Sequence, residues 1–202
     1  VLLNKEKTQL VQYPAGRAAT SYVIPKEVTS IEAGAFEAAE KLTAITIPVG
    51  IVSIGRMAFE SCFALTTISI PATVKTIGAN AFGCCQELSE IKVEAANTAY
   101  TSVDGVLFDK AKKTLITYPR GRKTTTYVIP SGVTNIESYA FEYTQNLTSI
   151  TIPTSVKKIG LAAFANSVLT SVVIPDGVDT IESWTFGWCE ELASVALPAS
   201  VK

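Results

Sequence analysis

Cysteine supplies the most reactive side chains of this 202-residue sequence, which contains four cysteines and no histidine. Without an imidazole there is no Ser-His or Cys-His pair and no histidine metal ligand. Cys62, Cys84, Cys85 and Cys189 form no Cys-x-x-Cys pair, so a zinc or thioredoxin-like site is not expected. The sequence therefore predicts a protein that is not an enzyme and that needs no cofactor or metal.

Aromatic side chains form two pairs with a spacing of four residues, and they are the first candidates for ligand binding. The pairs are Tyr139 with Tyr143 and Trp184 with Trp188. Residues four apart share one side of a helical turn. The four rings could therefore border a shallow apolar groove that stacks on a sugar or a protein. Packing of these rings against neighbouring segments of the chain is the alternative interpretation.

Basic side chains gather between positions 110 and 123. They are Lys110, Lys112, Lys113, Arg120, Arg122 and Lys123. Such a cluster could meet a sulfated glycan or another anionic surface. The alternative is a solvated hairpin whose charges bind nothing, because the related segment at the start of the chain carries only Lys5, Lys7 and Arg17, with Glu6 among them.

A repeat of 23 residues positions these side chains. Proline follows an Ile-x-Ile or similar triplet at positions 25, 48 and 71 and again at 130, 153, 175 and 198, with Glu94 at the intervening step. Each unit reads Pro-x-x-Val-x-x-Ile-x-x-x-Ala-Phe-x-x-Cys-x-x-Leu-x-x-Ile-x-Ile. Self-similarity at a fixed period is the signature of a solenoid, in which stacked units bury a shared apolar core.

Each unit divides into a strand and a turn. The Ile-x-Ile step has the period of a strand with one buried face. The Ala-Phe segment suits one helical or 3₁₀ turn that drives its phenylalanine inward. These phenylalanines are Phe36, Phe59, Phe82, Phe141, Phe164 and Phe186. The expected fold class is therefore α/β: a β-rich, right-handed superhelix with a parallel concave sheet and short helical or 3₁₀ turns.

Small hydroxyl side chains occupy the outward positions of the predicted sheet. They include Thr46, Thr67, Ser69, Ser149, Thr151 and Ser171. Because this face is nearly neutral and rich in hydroxyl groups, these residues are the second candidates for ligand binding.

Cys62 and Cys85 occupy the same position of adjacent units, where a disulfide is geometrically conceivable. The alternative is a ladder of small buried residues, since Ala39, Thr144 and Ser167 hold that position in other units.

An insert of hairpin character interrupts the repeat, and its second half also opens the chain. Residues 1–25 align with residues 106–130 at a constant offset of 105. Asp104-Gly105 is a turn signal, and Val106–Phe108 and Leu115–Tyr118 are strand-like. Tyr127-Val128-Ile129 then replaces the usual strand, so the solenoid, with one continuous apolar core, is expected to continue through this insert without a break.

A single domain over residues 1–202 is predicted, in a chain cut from a longer array. Its parts are a partial insert at 1–24, repeats at 25–47, 48–70 and 71–93, the insert repeat at 94–129, repeats at 130–152, 153–174 and 175–197, and the start of another at 198–202.

Charge and hydropathy exclude two classes of partner. With 17 basic and 18 acidic residues the net charge is −1, which gives no field to attract nucleic acid. No apolar stretch reaches the ~18 residues that a membrane span needs, so no insertion into a membrane by this chain is expected, and no signal-like segment opens it.

The repeat resembles that of the BspA-like leucine-rich repeat family in its Ile-Pro, Val-x-x-Ile, Ala-Phe and Cys-x-x-Leu-x-x-Ile elements. The resemblance implies a leucine-rich repeat protein of the bacterial cell surface or the extracellular space. The leading hypothesis is a non-catalytic recognition or adhesion module that binds an extracellular protein or glycan. The alternative is an architectural spacer without a ligand of its own. Open apolar ends could also let such a fragment associate end to end.

Overall fold

The chain winds as a β-solenoid of about eight turns with parallel sheets. The computed structural model describes residues 1–201, so Lys202, the last residue of the expected final unit, lies outside the described residues. The strands of the first half are β1 (Leu2–Leu3), β2 (Gln9–Gln12), β3 (Ser21–Val23), β4 (Ser30–Ile31), β5 (Ala44–Thr46), β6 (Ser53–Ile54), β7 (Thr67–Ile70), β8 (Thr76–Ile77) and β9 (Glu90–Val93). Those of the second half are β10 (Tyr100–Val103), β11 (Val106–Asp109), β12 (Thr114–Thr117), β13 (Thr126–Val128), β14 (Asn135–Ile136), β15 (Ser149–Thr151), β16 (Lys158–Ile159), β17 (Ser171–Val173), β18 (Thr180–Ile181) and β19 (Ser194–Ala196).

The predicted Ile-x-Ile strands pair in parallel from coil to coil. Strand β13 pairs with β15, β15 with β17 and β17 with β19, while β3 pairs with β5 and β7 with β9. Equivalent positions of successive units lie opposite each other in these strand pairs, as Ile68 does with Ile91 and Tyr127 with Ile150. Alternation of buried and exposed residues fixes this register, because a slip by one residue would turn every apolar side chain outward.

A second line of parallel strands runs through the first Ile position of each unit. Strands β2, β4, β6 and β8 form one parallel run and β12, β14, β16 and β18 the other. Most are two residues long and end four residues before the Ala of the Ala-Phe segment, as Ile31 does before Ala35 and Ile136 before Ala140. The sequence pattern did not single them out as strands.

The prediction of helical or 3₁₀ turns at the Ala-Phe segments, and with it the α/β class, is not confirmed: residues 1–201 contain neither kind of helix. Successive N–H groups of the turn donate alternately to the next coil and to a carbonyl three residues back in the same turn, and this pattern prevents a helix. The Phe36 N–H donates to the Ala58 carbonyl of the next coil, whereas the Glu37 N–H donates to the Gly34 carbonyl three residues back. Each turn also holds two residues with positive φ, four positions apart, which no right-handed helix accommodates.

The phenylalanines point inward as predicted and stack along the axis. Ring centroids of Phe36 and Phe59 are 5.2 Å apart, and those of Phe141 and Phe164 are 5.1 Å apart. Tyr13 and Tyr118 extend the two stacks at their N-terminal ends. Neighbouring rings at these separations contribute beyond the area they bury, so the columns tie each coil to the next.

The insert contains the expected hairpin but divides the core, so the prediction of an unbroken core is wrong. Strands β10 and β11 are antiparallel around Asp104-Gly105. Leu107 packs into a cluster that extends back to Leu10, whereas Val106 and Phe108 pack into a second cluster that extends on to Val178. Successive side chains of a strand point to opposite faces. Strand β11 is therefore a partition between two cores.

The same insert interrupts the hydrogen bonds that join the turns of successive coils. In four of the six turns three alternate N–H groups donate to the next coil, as at Met57, Phe59 and Ser61. Within the described part of the chain, the equivalent N–H groups at residues 80, 82 and 84 have no partner. The turns before and after the insert are thus not connected directly.

Candidate functional site

Hydroxyl side chains line the outer side of the Ile-x-Ile strands, and we call the six predicted positions the hydroxyl face. They are Thr46, Thr67, Ser69, Ser149, Thr151 and Ser171, and all are exposed. Within residues 1–201 none of the six hydroxyl groups forms a hydrogen bond. Each is therefore free to bond to water or to a ligand.

The hydroxyl face is divided at the insert. The Ile91 N–H donates to the Gly105 carbonyl over 2.9 Å, so the hairpin turn lies beside β9. Lys92 and Glu90 on β9 form an exposed ion pair of 3.3 Å. Charged groups and the hairpin turn thus separate the three N-terminal hydroxyl positions from the three C-terminal ones.

The two tryptophans form an exposed, stacked pair. Trp184 and Trp188 have φ values of +59° and +54°, and they begin and end the same turn. Their ring centroids are 4.8 Å apart and the ring planes differ by 13°. The side chains are 61% and 64% exposed in this coil, which is the last complete one in the described residues. Leu197 of the same coil is also 61% exposed, although its equivalents Ile152 and Ile174 are buried. The four-residue spacing thus brings the rings together, as predicted, although the backbone between them is not helical.

The two tyrosines occupy the equivalent positions two coils earlier but are only partly exposed. Tyr139 and Tyr143 have φ values of +64° and +58°. The guanidinium carbon of Arg120 lies 4.5 Å from the Tyr143 ring centroid, and Arg120 Nε donates to the Tyr143 carbonyl over 3.2 Å. One face of the Tyr143 ring is therefore already covered.

A cleft of about 330 Å³ lies between the two pairs, and we call it the aromatic cleft. It is lined by Tyr143, Gln145, Asn166, Ser167, Val168, Trp188, Glu190 and Glu191. The cleft brings Tyr143 and Trp188 together, but most of its lining residues are polar, so it differs from the apolar groove bordered by four rings that the sequence predicts. Tyr139 and Trp184 do not line it, and Ala162 between them is buried.

A second cleft of about 400 Å³ lies on the other side of Tyr143, and we call it the basic cleft. Its lining is Gln86, Glu87, Arg120, Lys123, Tyr143, Gln145 and Asn146. Sequence reasoning placed Arg120 and Lys123 in a basic cluster but did not connect them with Tyr143. The signal was present, because Arg120 precedes Tyr143 by 23 residues, one period of the repeat.

The other basic residues of the insert do not join this cleft. Lys110 Nζ donates to the Ala95 carbonyl over 3.2 Å, and Lys113 Nζ donates to the Gly132 carbonyl over 3.3 Å. Arg122 donates to the Asp104 carbonyl and lies over the Tyr118 ring at 5.3 Å. Lys112 is exposed. The cluster seen in the sequence thus separates into cations bonded to backbone and a pair at the basic cleft.

All four cysteines are free, and those in the repeated position form the ladder of small buried residues. The Sγ atoms of Cys62, Cys85 and Cys189 lie 3.2, 3.1 and 3.0 Å from the carbonyl oxygen of the phenylalanine in the preceding coil. Burial raises the pKa of the Cys62 thiol to about 12 and also raises that of Cys85. These thiols act as packing groups and hydrogen-bond donors.

Within residues 1–201, no group of three or more Cys, Asp or Glu side chains is arranged to hold a metal ion. The described chain has no apolar helix of a length that crosses a bilayer.

Comparison with known proteins agrees with the repeat and the fold. A leucine-rich repeat protein from Eubacterium ventriosum is 29% identical over 91% of this chain and 55% of its own, with a TM-score of 0.80. A leucine rich cell surface protein from Faecalibacterium prausnitzii is 34% identical over 90% of this chain and 54% of its own, with a TM-score of 0.75. The pneumococcal vaccine antigen PcpA, 24% identical over 90% of this chain and 55% of its own, shares the fold with a TM-score of 0.66.

The chain spans about half the length of these solved structures. None of the curated proteins matches it. A family model described as BspA type Leucine rich repeat region matches residues 15–124 and 118–202, in six copies. The resemblance seen in the sequence is thereby confirmed, and the chain belongs to the BspA type leucine-rich repeat family.

Proposed function

We propose that this chain is a non-catalytic recognition module of the cell surface or the extracellular space, and that it binds a protein or glycan partner through the turn side of its solenoid. The exposed Trp184–Trp188 pair carries the proposal. The similar protein from Faecalibacterium prausnitzii is described as a cell surface protein, which supports a location at the cell surface for this chain. The hydroxyl face is a further contact surface in this proposal.

Two stacked indole rings on the turn side form an apolar surface whose burial in a complex is favourable. Large aromatic side chains are normally buried, and paired exposed ones are typical of binding surfaces. Tryptophan contributes strongly to interfaces because its ring buries a large area and its indole N–H donates a hydrogen bond. The pair therefore offers both stacking and directional recognition to a sugar ring or an apolar side chain.

Rigidity of the backbone favours tight binding by this pair. The N–H groups of residues 162, 164 and 166 donate to the carbonyls of residues 183, 185 and 187 over 2.8–3.0 Å, which holds the Trp turn against the preceding coil. Because little backbone freedom remains, little is lost when a ligand binds.

The test is binding of the immobilised chain to arrays of glycans and extracellular-matrix proteins. Saturable binding is expected, and Trp184→Ala and Trp188→Ala should each weaken it at least about 10-fold, the loss typical of an aromatic hot spot. Val49→Ala is the matched control, since Val49 is an apolar residue of similar exposure that lies outside both the Trp turn and the hydroxyl face. Silence on both arrays would favour the spacer, and binding unchanged by either Trp substitution would exclude the aromatic pair.

A further inference from the structure

Arg120 is fixed in place by Tyr143. Its guanidinium lies over the Tyr143 ring at 4.5 Å, and its Nε–H donates to the Tyr143 carbonyl. An arginine held by stacking and by Nε keeps its two terminal nitrogens parallel and directed away from that backbone. This arrangement suits a bidentate contact with a planar or tetrahedral anion.

The two terminal nitrogens of Arg120 have no partner within the described residues. Arg120 takes part in no ion pair there, and its single hydrogen bond uses Nε. Burial lowers the pKa of Arg120, which indicates that the charge is partly removed from water. Glu142 lines a neighbouring cavity together with Arg120. Burial raises the pKa of that carboxyl and the attraction of Arg120 lowers it, so Glu142 compensates part of the Arg120 charge without forming an ion pair with it in the described residues.

The rest of the basic cleft suits an anion that also carries hydroxyl groups. Lys123 adds a second cation, and Glu87 is the one carboxylate in the lining. Three amide side chains, Gln86, Gln145 and Asn146, line the cleft. Gln145 Nε2 and Asn146 Nδ2 each donate to a backbone carbonyl, and the amide oxygens can accept from hydroxyl groups of a ligand.

Tyr143 and Gln145 belong to both the basic cleft and the aromatic cleft, which makes the two clefts neighbours. The aromatic cleft carries Trp188 for stacking and has Glu190 and Glu191 in its lining, with no basic residue. An elongated ligand with its anionic end in the basic cleft and a neutral, hydroxyl-bearing end in the aromatic cleft places its charge beside Arg120 and Lys123 and away from Glu190 and Glu191.

We infer that the two clefts together bind an acidic oligosaccharide, with its sulfate or carboxylate group on Arg120 and Lys123 and a neutral sugar against Trp188. This inference rests on the proposed function and names the ligand class of the turn side. An acidic peptide satisfies the basic cleft equally but makes less use of the amides and of the stacking surface, so the observations favour the sugar.

The test is binding of the 202-residue chain to a sulfated hexasaccharide from heparin, an uronate hexasaccharide from polygalacturonate, a neutral chitin hexasaccharide and a poly-Glu peptide. The first or second sugar should bind more tightly than the neutral sugar and the peptide. Because the heparin sugar carries both sulfate and carboxylate groups, binding of that sugar alone assigns sulfate, whereas binding of the uronate sugar assigns carboxylate. Arg120→Gln should weaken that binding about 10-fold to 100-fold, and Lys123→Gln about 3-fold, since Lys123 is exposed. Lys112→Gln is the matched control, an exposed cation of the insert outside the cleft.

Circular dichroism of Arg120→Gln establishes that the variant is folded, and Lys123→Gln provides an independent answer if it is not. The inference would be overturned if Lys112→Gln weakened sugar binding as much as Arg120→Gln does. It would also be overturned if neither Lys123→Gln nor a folded Arg120→Gln weakened that binding. Both results would leave the proposed function intact. Tighter binding of poly-Glu would replace the sugar by a peptide. Binding of none of the four probes overturns the inference. If the arrays of glycans and matrix proteins are also silent, the proposed function fails as well.

Discussion

At the scale of single residues, the left-handed backbone positions of the turns are the most demanding feature. The six repeats place them at 34 and 38, 57 and 61, 80 and 84, 139 and 143, 162 and 166, and 184 and 188. Gly34 is the one glycine among them. An L-residue in this conformation costs about 1–2 kcal/mol, which the hydrogen bonds to the next coil offset.

Replacement of Ala38 by glycine should therefore stabilise the protein. Ala38 has a φ of +56°, and the relief of steric strain exceeds the added entropy of the unfolded chain. We expect Ala38→Gly to raise the free energy of unfolding by about 1 kcal/mol in urea denaturation. Ala35→Gly is the control at a buried position without positive φ, and it should lower that free energy by about 1 kcal/mol. Equal destabilisation by both substitutions would contradict this account of the turn.

The same residues define how far the site could be predicted. Spacing alone paired Trp184 with Trp188, and the pairing is correct because both ends of the turn have the same backbone conformation. Arg120 was missed as a partner of Tyr143 because the contact joins different coils. Contacts between coils follow from the period of 23 only once the stacking geometry is known.

At the scale of elements, strands were predictable and turns were not. The strand at Ile45 is encoded locally, since exposed and buried residues alternate around it. The turn at Phe36 is encoded jointly by two coils, because half of its N–H groups bond to the following coil. The pattern of a single unit therefore predicts a helix, in which these N–H groups would bond to carbonyls of the same unit.

Interruption of this ladder at the insert predicts a local difference in hydrogen exchange. The N–H groups of Asn80, Phe82 and Cys84 lack the partners that their equivalents one coil earlier possess. We expect the amides of residues 80, 82 and 84 to exchange at least about 10-fold faster than those of residues 57, 59 and 61, measured by NMR after transfer to D₂O. Equal protection of both sets would show that another group closes the gap.

At the scale of the whole molecule, the repeat predicts one core and the insert makes two. Each unit repeats the same apolar positions, so nothing in the period marks a boundary. The boundary arises because β11 is buried on both faces, with Leu107 in one cluster and Phe108 in the other. Such an effect depends on the register of the hairpin, which the repeat does not specify.

Two cores joined through one insert should unfold as two units. In solenoids each coil contacts its neighbours alone, so a weak interface separates cooperative blocks. Phe164→Ala removes a fully buried ring from the second stack and should destabilise that block by about 3–5 kcal/mol. We expect native-state hydrogen exchange to show lost protection over residues 129–178, while residues 24–91 stay protected.

Phe59→Ala is the mirror experiment, because Phe59 holds the matching place in the first stack and is equally buried. It should expose residues 24–91 and spare the second block. The two variants distinguish unfolding as one cooperative unit from unfolding as two, which a single melting curve does not. A single cooperative unit would lose protection along the whole chain whichever ring is removed. If both variants deprotect the whole chain alike, β11 transmits stability between the cores, and the partition is one of packing and not of folding.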